Sequence, residues 1–168
     1  MPVLVDTVVL SNLAAAKCLD LLRTLHDTAY VASGVYEEIQ QGIQEGYAFL
    51  EVVDDAFTSG VLHLVTLDPE QEWRLYRTMP HYLHRGEAMS LAIASSRGWR
   101  FLTDDWAARR YARQINVSSS GTLGLLLYAV QQGEATVEQA NAWLQTMIDR
   151  AHYRSPVTDL RLLIHPEQ

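Results

Sequence analysis

The sequence has a single cysteine, Cys18, and no long hydrophobic run. One thiol cannot form an internal disulfide or supply a cysteine-rich zinc site, so both are excluded as stabilising devices. The longest uncharged apolar-rich run, at 121–132, is far shorter than the ~20 residues that cross a bilayer. The N-terminus lacks the basic stretch and cleavage site of a secretory signal. We therefore expect a reduced, cytoplasmic protein without a membrane segment.

Positive charge is scarce. The net charge is −7, and Lys17 is the only lysine among 13 basic residues. Proteins that coat nucleic acid nonspecifically present a basic surface, so this acidic total argues against that class. It leaves open an enzyme that concentrates carboxylates around a metal ion. The remaining basic residues are arginines, whose planar fork suits bidentate contacts with phosphate.

Short apolar, β-branched runs alternate with helical patterns along the chain. Strands are expected at 3–5, 29–32, 61–65, 99–103 and, more weakly, 115–117. These runs are apolar on both faces, as in a sheet that helices cover on both sides. The alternation predicts an α/β fold with a mostly parallel central sheet.

The length of 168 residues indicates one domain. We place it at 1–150 and treat 151–168 as a C-terminal tail. After the first strand, Ser11 is expected to cap a helix that runs to about residue 25.

Acidic residues follow two of the expected strands. Asp6 ends the first strand, and Asp104 and Asp105 end the fourth. Functional crevices of open α/β sheets lie at the carboxyl ends of strands, so these aspartates converge if the two strands are neighbours. Glu38 lies one turn into the helix after strand two. Glu87 begins the helix that leads into strand four.

Clustered carboxylates repel one another and are tolerated when a cation lies among them. Oxygen ligands without cysteine favour Mg²⁺ or Mn²⁺ over zinc, and such ions suit phosphoryl chemistry. Each residue also has a structural interpretation. Asp6 can cap the turn after its strand, Glu38 can be a solvated helix residue, and Glu87 can favour a helix N-terminus. Asp104 or Asp105 can cap the next helix.

Five segments resemble, in order, the motifs of PIN domains. The opening motif resembles 6–13 (DTVVLSNL), and the second acidic motif resembles 35–39 (VYEEI). The third resembles 86–92 (GEAMSLA), and the fourth resembles 102–109 (LTDDWAAR). The tail motif of a prokaryotic subgroup resembles 121–126 (GTLGLL). Together these motifs span about residues 3–130.

The resemblance implies a three-layer α/β/α fold with strand order 3-2-1-4-5. It implies a Mg²⁺- or Mn²⁺-dependent endoribonuclease, with RNA as substrate, of the kind that serves as the toxin of a toxin–antitoxin pair. The metal-binding and catalytic residues carried over are Asp6, Glu38, Glu87 and Asp105, with Asp104 as the competing assignment. The positions implied to support these ligands or contact substrate are Ser11, Asn12, Thr103 and Thr122.

Two arginines are candidates for phosphate contacts. Arg109 and Arg113 share a helix face just after the acidic strand end, although they also fit a solvated face. The sequence departs from the family pattern at three places. The helix after strand two begins at 32–34 (ASG), where many members have a proline. Glu87 stands where many members have aspartate, and Met89 stands where this subgroup often has a second acidic residue.

Other α/β families that use aspartate or phosphate fit less well. A haloacid-dehalogenase-type phosphatase needs a second aspartate where Val8 stands, and a phospho-receiver domain needs a late lysine. Nucleotide-binding loops need glycines, and 6–13 has none. The remaining alternative is a catalytically silent PIN-like module that binds RNA or protein. The partners to test for are RNA, an antitoxin that presents an arginine to the acidic cluster, and a second copy of the chain.

Overall fold

The computed structural model describes residues 1–164. The strands in this range are β1 (Val3–Val5), β2 (Ala29–Ala32), β3 (Leu62–Val65), β4 (Arg100–Leu102) and β5 (Ser119–Ser120). The helices are α1 (Thr7–Ala15), α2 (Asp20–Leu25), α3 (Ser33–Gln44), α4 (Val52–Thr58), α5 (Glu70–Arg77), α6 (Arg85–Arg97), α7 (Trp106–Gln114), α8 (Thr122–Gln131), α9 (Val137–Ala151) and α10 (Arg161–Ile164). A 3₁₀ turn at Ala48–Glu51 precedes α4.

The five strands form one parallel sheet in the order β3-β2-β1-β4-β5. This confirms the predicted α/β class and strand order. Val5 of β1 lies opposite Leu102 of β4. The two strands therefore end side by side, and the residues that follow them, Asp6 and Thr103, are neighbours at the carboxyl edge of the sheet.

Helix α6 lies across the sheet and is its most buried cover. It contacts β1, β2 and β4, while α3 and α5 pack against it. All residues from 86 to 94 are buried, and Glu87 is among them. Helix α1 packs against α9 and α3, and α8 packs against α2 and α9. The start of α6 thus carries a carboxylate into the interior next to the strand ends.

The predicted helix start at Ser11 is wrong. Helix α1 begins at Thr7, because the Asp6 side chain accepts a hydrogen bond from the Thr7 amide at 2.8 Å and caps the helix. The Ser11 hydroxyl instead donates to the Thr7 carbonyl at 2.8 Å. The helix ends at Ala15, just before Lys17 adopts a left-handed φ of 55°.

The expected strand at 115–117 is also wrong. Asn116 has a φ of 58°, so the chain turns there. The strand is formed two residues later by Ser119 and Ser120, which pair with Phe101 and Leu102. Backbone hydrogen bonding at the sheet edge, rather than β-branched side chains, defines β5.

The chain after α9 folds back onto the domain. His152 ends α9 with a φ of 54°, and Leu160 is fully buried. The Leu160 amide donates to Asn141 Oδ1 at 2.8 Å, which ties the segment to α9. The division at residue 150 stays a prediction, and residues 165–168 of the expected tail lie outside the described residues. Among the helices of 1–164, none has the length and apolar character needed to cross a membrane.

Candidate metal centre

Asp6 lies at the centre of the acidic edge. Its side chain is only 4% exposed. One oxygen accepts from the Thr7 amide, and the other accepts from the Thr103 hydroxyl at 2.9 Å. Burial, and then the negative charge of Glu87, raise the pKa of Asp6 to about 7. Near neutral pH this carboxyl therefore titrates between a neutral form and an ion that only two hydrogen bonds stabilise.

Glu38 and Glu87 are brought together by a close contact between α3 and α6. Glu38 accepts hydrogen bonds from the Thr7 hydroxyl and, at 3.4 Å, from the Gly86 amide. A Cβ atom at Gly86 would lie 2.7 Å from Val35 Cγ2 and 3.0 Å from Glu38 Oε1. Only glycine lets the two helices approach this closely, so Gly86 sets the position of Glu38 beside the start of α6.

Glu87 has one oxygen engaged and one available. Its Oε2 accepts from the His84 amide at 3.0 Å and caps α6. Burial raises the pKa of the Glu87 carboxyl, and the negative charges of Asp105 and Glu38 add to this rise. These charges show that Glu87 shares one electrostatic environment with carboxylates from two other elements.

Asp105 caps α7 and keeps one oxygen uncommitted. Its Oδ1 accepts from the Ala108 amide at 2.7 Å, and its own amide donates to the Thr103 hydroxyl at 3.1 Å. No donor from residues 1–164 reaches Oδ2. Thr103, which is fully buried, therefore links Asp6 and Asp105 and fixes their relative positions.

Asp104 is engaged on both oxygens. Oδ1 accepts from the Thr122 amide at 2.7 Å, and Oδ2 accepts from the Thr122 hydroxyl at 2.5 Å and from Asn12 Nδ2 at 3.3 Å. Burial and the negative charge of the nearby Asp104 raise the pKa of the Tyr153 hydroxyl. A Cβ at Gly121 would collide with Oδ1, so the glycine before α8 makes room for this carboxylate. Asp104 thus connects the chain after β4 to α1 and α8.

An open cleft of about 490 Å³ is lined by Glu87, Asp104 and Asp105, whereas Asp6 and Glu38 do not line it. Its other lining residues include Ser11, Asn12 and His84, together with residues 151–154. Residues 152–154 were not found by sequence reasoning. They follow the last helix without a periodic pattern, so no local signal identified them.

The two candidate arginines are separated by the fold. Arg109 lines a second groove that adjoins the cleft and also contains Asp104, Tyr153 and Arg154. Arg113 is exposed one turn further along α7 and lines neither of these two cavities. The groove therefore pairs Arg109 with Arg154, which the sequence analysis did not consider.

The donor chemistry fits a hard divalent cation. The four carboxylates Asp6, Glu38, Glu87 and Asp105 offer only oxygen ligands. Burial and negatively charged neighbours raise the pKa of Asp6, whereas a bound cation would lower it. Within 1–164, no three acidic, histidine or cysteine side chains are arranged as a ready-made metal site. Hydrogen bonds from Thr7 and Thr103 orient Glu38 and Asp6, and the carboxylate oxygens keep further lone pairs for a cation.

Comparison with known families agrees with this geometry. The family model described as the PIN domain matches residues 2–163. The chain belongs to the PIN-domain family. PIN domains are generally nucleases and typically use divalent metals. The search of curated proteins and the search of solved structures each returned no match for this PIN domain.

Metal binding to the PIN domain is testable by thermal melting. With Mn²⁺ at about 100 times its dissociation constant, the free energy of unfolding should rise by about 2.7 kcal/mol. For a chain of this length, the melting temperature then increases by roughly 5–10 °C. Asp105→Asn should lose this increase, whereas Asp55→Asn, an exposed acid on α4, should keep it. An equal increase in both variants would contradict the assignment of the site.

Proposed function

We propose that the protein is a metal-dependent endoribonuclease that hydrolyses phosphodiester bonds in RNA. The observation that carries this proposal is the meeting of Asp6, Glu38, Glu87 and Asp105 at the carboxyl edge of a PIN-domain sheet. Burying the charged forms of Asp6 and Glu87 costs free energy, and proteins commonly bear this cost at functional sites. Within residues 1–164, neither of them forms a salt bridge.

The same four carboxylates would hold Mg²⁺ or Mn²⁺. When bound, such an ion polarises a phosphate oxygen and lowers the pKa of the attacking water. The supporting residues of the chain keep the carboxylates in place. Thr103 donates to Asp6 and accepts from the Asp105 amide, and Thr7 donates to both Asp6 and Glu38.

The groove beside the cleft is suited to the phosphate backbone of the substrate. Arg109 and Arg154 line it next to Asp104. Guanidinium groups bind phosphate through paired hydrogen bonds, so they would hold a strand against the acidic cleft that otherwise repels it. This local pair of cations reconciles a net charge of −7 with a polyanionic substrate.

A role as the toxin of a toxin–antitoxin pair is part of the same proposal. Glu87, Asp104 and Asp105 line an open cleft that is complementary to a cationic side chain. An inhibitory partner that inserts an arginine there would block metal and substrate together.

The test is cleavage of a labelled single-stranded RNA by the purified protein. We expect products with Mg²⁺ or Mn²⁺ and none in EDTA. Glu87→Gln keeps the hydrogen bond that caps α6 but removes the charge, and should lower the rate by about 10²-fold or more. The matched control is Glu134→Gln, at an exposed acid after α8.

Two results would count against this function. Cleavage that persists in EDTA would remove the metal from the mechanism. RNA that binds to the wild type without being cut, in any divalent metal, would favour a catalytically silent binding module instead.

A further inference from the structure

Two large aromatic side chains lie unprotected beside the acidic cleft. Trp106, the first residue of α7, is 71% exposed, and Tyr82, in the loop before α6, is 60% exposed. With Ala107, Arg110 and Gln114 they line a shallow cavity of about 340 Å³. Exposed aromatic side chains that form one cavity usually mark a binding surface, because their apolar area gains most when a ligand covers it.

Arg110 gives this cavity the character of a nucleobase site. Its guanidinium lies 5.3 Å from the centre of the Trp106 ring. Aromatic rings and stacked arginines bind the flat faces of unpaired bases in single-stranded nucleic acid. Gln114, at the same cavity, offers an amide that can hydrogen-bond a base edge. An apolar protein side chain or a lipid would use neither the cation nor the amide.

The cavity shares no lining residue with the acidic cleft, but its residues are close neighbours of cleft residues along the chain. Trp106 follows Asp105 in the chain, and Tyr82 precedes His84 by two residues. Asp105 and His84 both line the cleft. A strand with one base held against Trp106 would therefore pass close to the acidic cleft. Arg109, the residue before Arg110, lines the groove that contains Asp104, so α7 lies between a base site and a phosphate site.

We propose that Trp106, Tyr82 and Arg110 bind one unpaired nucleobase of the substrate, in the part of the strand that lies near the acidic cleft. The inference rests on the proposed function and adds a requirement to it. Bases within a duplex are covered on both faces by their neighbours, so this cavity selects single-stranded RNA at that position. It also makes Trp106 a determinant of substrate binding rather than of the chemical step.

The experiment measures binding of a short labelled RNA by fluorescence anisotropy. All proteins carry Glu87→Gln to slow cleavage, and Mg²⁺ is present throughout. Trp106→Ala should raise the dissociation constant about 10-fold, while Trp106→Phe should retain most of the binding. The control Trp73→Ala removes another exposed tryptophan, on α5, and should bind as the parent does. Because Trp106 is exposed, its variants should melt at the parent temperature.

A set of RNAs with one abasic nucleotide, moved along the strand, locates the base. At one position the missing base should weaken binding to the parent protein about 10-fold and cause no further loss with Trp106→Ala. When the two changes together weaken binding no more than either one alone, they remove the same contact. Binding of the RNA paired with its complement should not depend on Trp106.

The outcomes separate this inference from the nuclease proposal. If the abasic and Trp106→Ala losses coincide but the wild type cuts no RNA, the base site stands and the nuclease proposal fails. If the wild type cuts RNA and Trp106→Ala changes neither the dissociation constant nor KM, the base site is overturned. The base site is also overturned if, at every abasic position, the losses of affinity from the missing base and from Trp106→Ala multiply. It is overturned as well if no variant binds RNA, which would favour a protein partner for the cavity.

Discussion

The metal-free protein is expected to lose stability as the pH rises from about 4 to about 7. Asp6 is the cause, because its pKa moves from the ordinary 3.8 to about 7 on folding. Between these values the folded state binds a proton that the unfolded state has released, so the free energy of unfolding falls with increasing pH. At ~1.4 kcal/mol per unit, the loss approaches about 4 kcal/mol. Above pH 7 it is complete, and the curve flattens.

The groups that face Asp6 act in the same direction. Glu87 on α6 and Glu38 on α3 are both negatively charged neighbours, and the pKa of Glu87 is itself raised. The hydrogen bonds from Thr103 and Thr7 oppose the shift without cancelling it. Exposed acids with lowered pKa values, such as Asp159, contribute in the opposite sense and only as the pH falls towards 4.

Urea unfolding in EDTA at pH 5, 6, 7 and 8 measures this effect. Asp6→Asn keeps an oxygen for the Thr7 amide and removes the charge, so its stability should change less with pH and exceed that of the wild type at pH 8. Added Mn²⁺ should restore stability at pH 8 in the wild type alone. Parallel curves for the two proteins would show that Asp6 ionises normally.

This behaviour has a functional meaning. Charge repulsion at Asp6, Glu38 and Glu87 lowers stability in the metal-free protein and favours the metal-bound form above pH 7. The domain thus tolerates an unfavourable cluster at the place where chemistry needs it, as active sites commonly do. The variant that gains stability is expected to be inactive.

The acidic edge could be predicted because its main determinants are local in sequence. Asp6 and Asp105 each follow an apolar strand, and the order of the strands came from the resemblance to PIN domains. The error at Ser11 has a physical cause. Asp6 serves both as the cap of α1 and as a member of the acidic cluster, whereas the analysis gave these tasks to different residues.

The part of the cleft that residues 151–154 form could not be predicted. It depends on His152, whose left-handed conformation turns the chain, and on Tyr153, which lines the same cavities as Asp104. Contacts between residues that are far apart in the sequence produce no periodic pattern from which they could be predicted. Arg109 and Arg113 show a related limit. They share a helix face by spacing, but only the arginine nearer the start of α7 reaches the groove beside Asp104.

The adjacent aspartates of the fourth motif are expected to give opposite results when each is changed to asparagine. Asp105→Asn should lower cleavage by about 10³-fold, equivalent to roughly 4 kcal/mol of barrier, with little change in melting temperature. Asparagine caps a helix as well as aspartate, so the bond to the Ala108 amide persists. The lost group is the uncommitted oxygen next to Glu87, which is the one available to a metal ion.

Asp104→Asn should act on the fold instead. Both oxygens of Asp104 accept hydrogen bonds, from Thr122 and Asn12, and an amide in place of one oxygen would face donors. We expect a loss of about 2–3 kcal/mol, or roughly 5–10 °C in melting temperature. Cleavage below that temperature should fall less than with Asp105→Asn. If Asp104→Asn abolishes cleavage in a protein that melts normally, the two assignments must be exchanged.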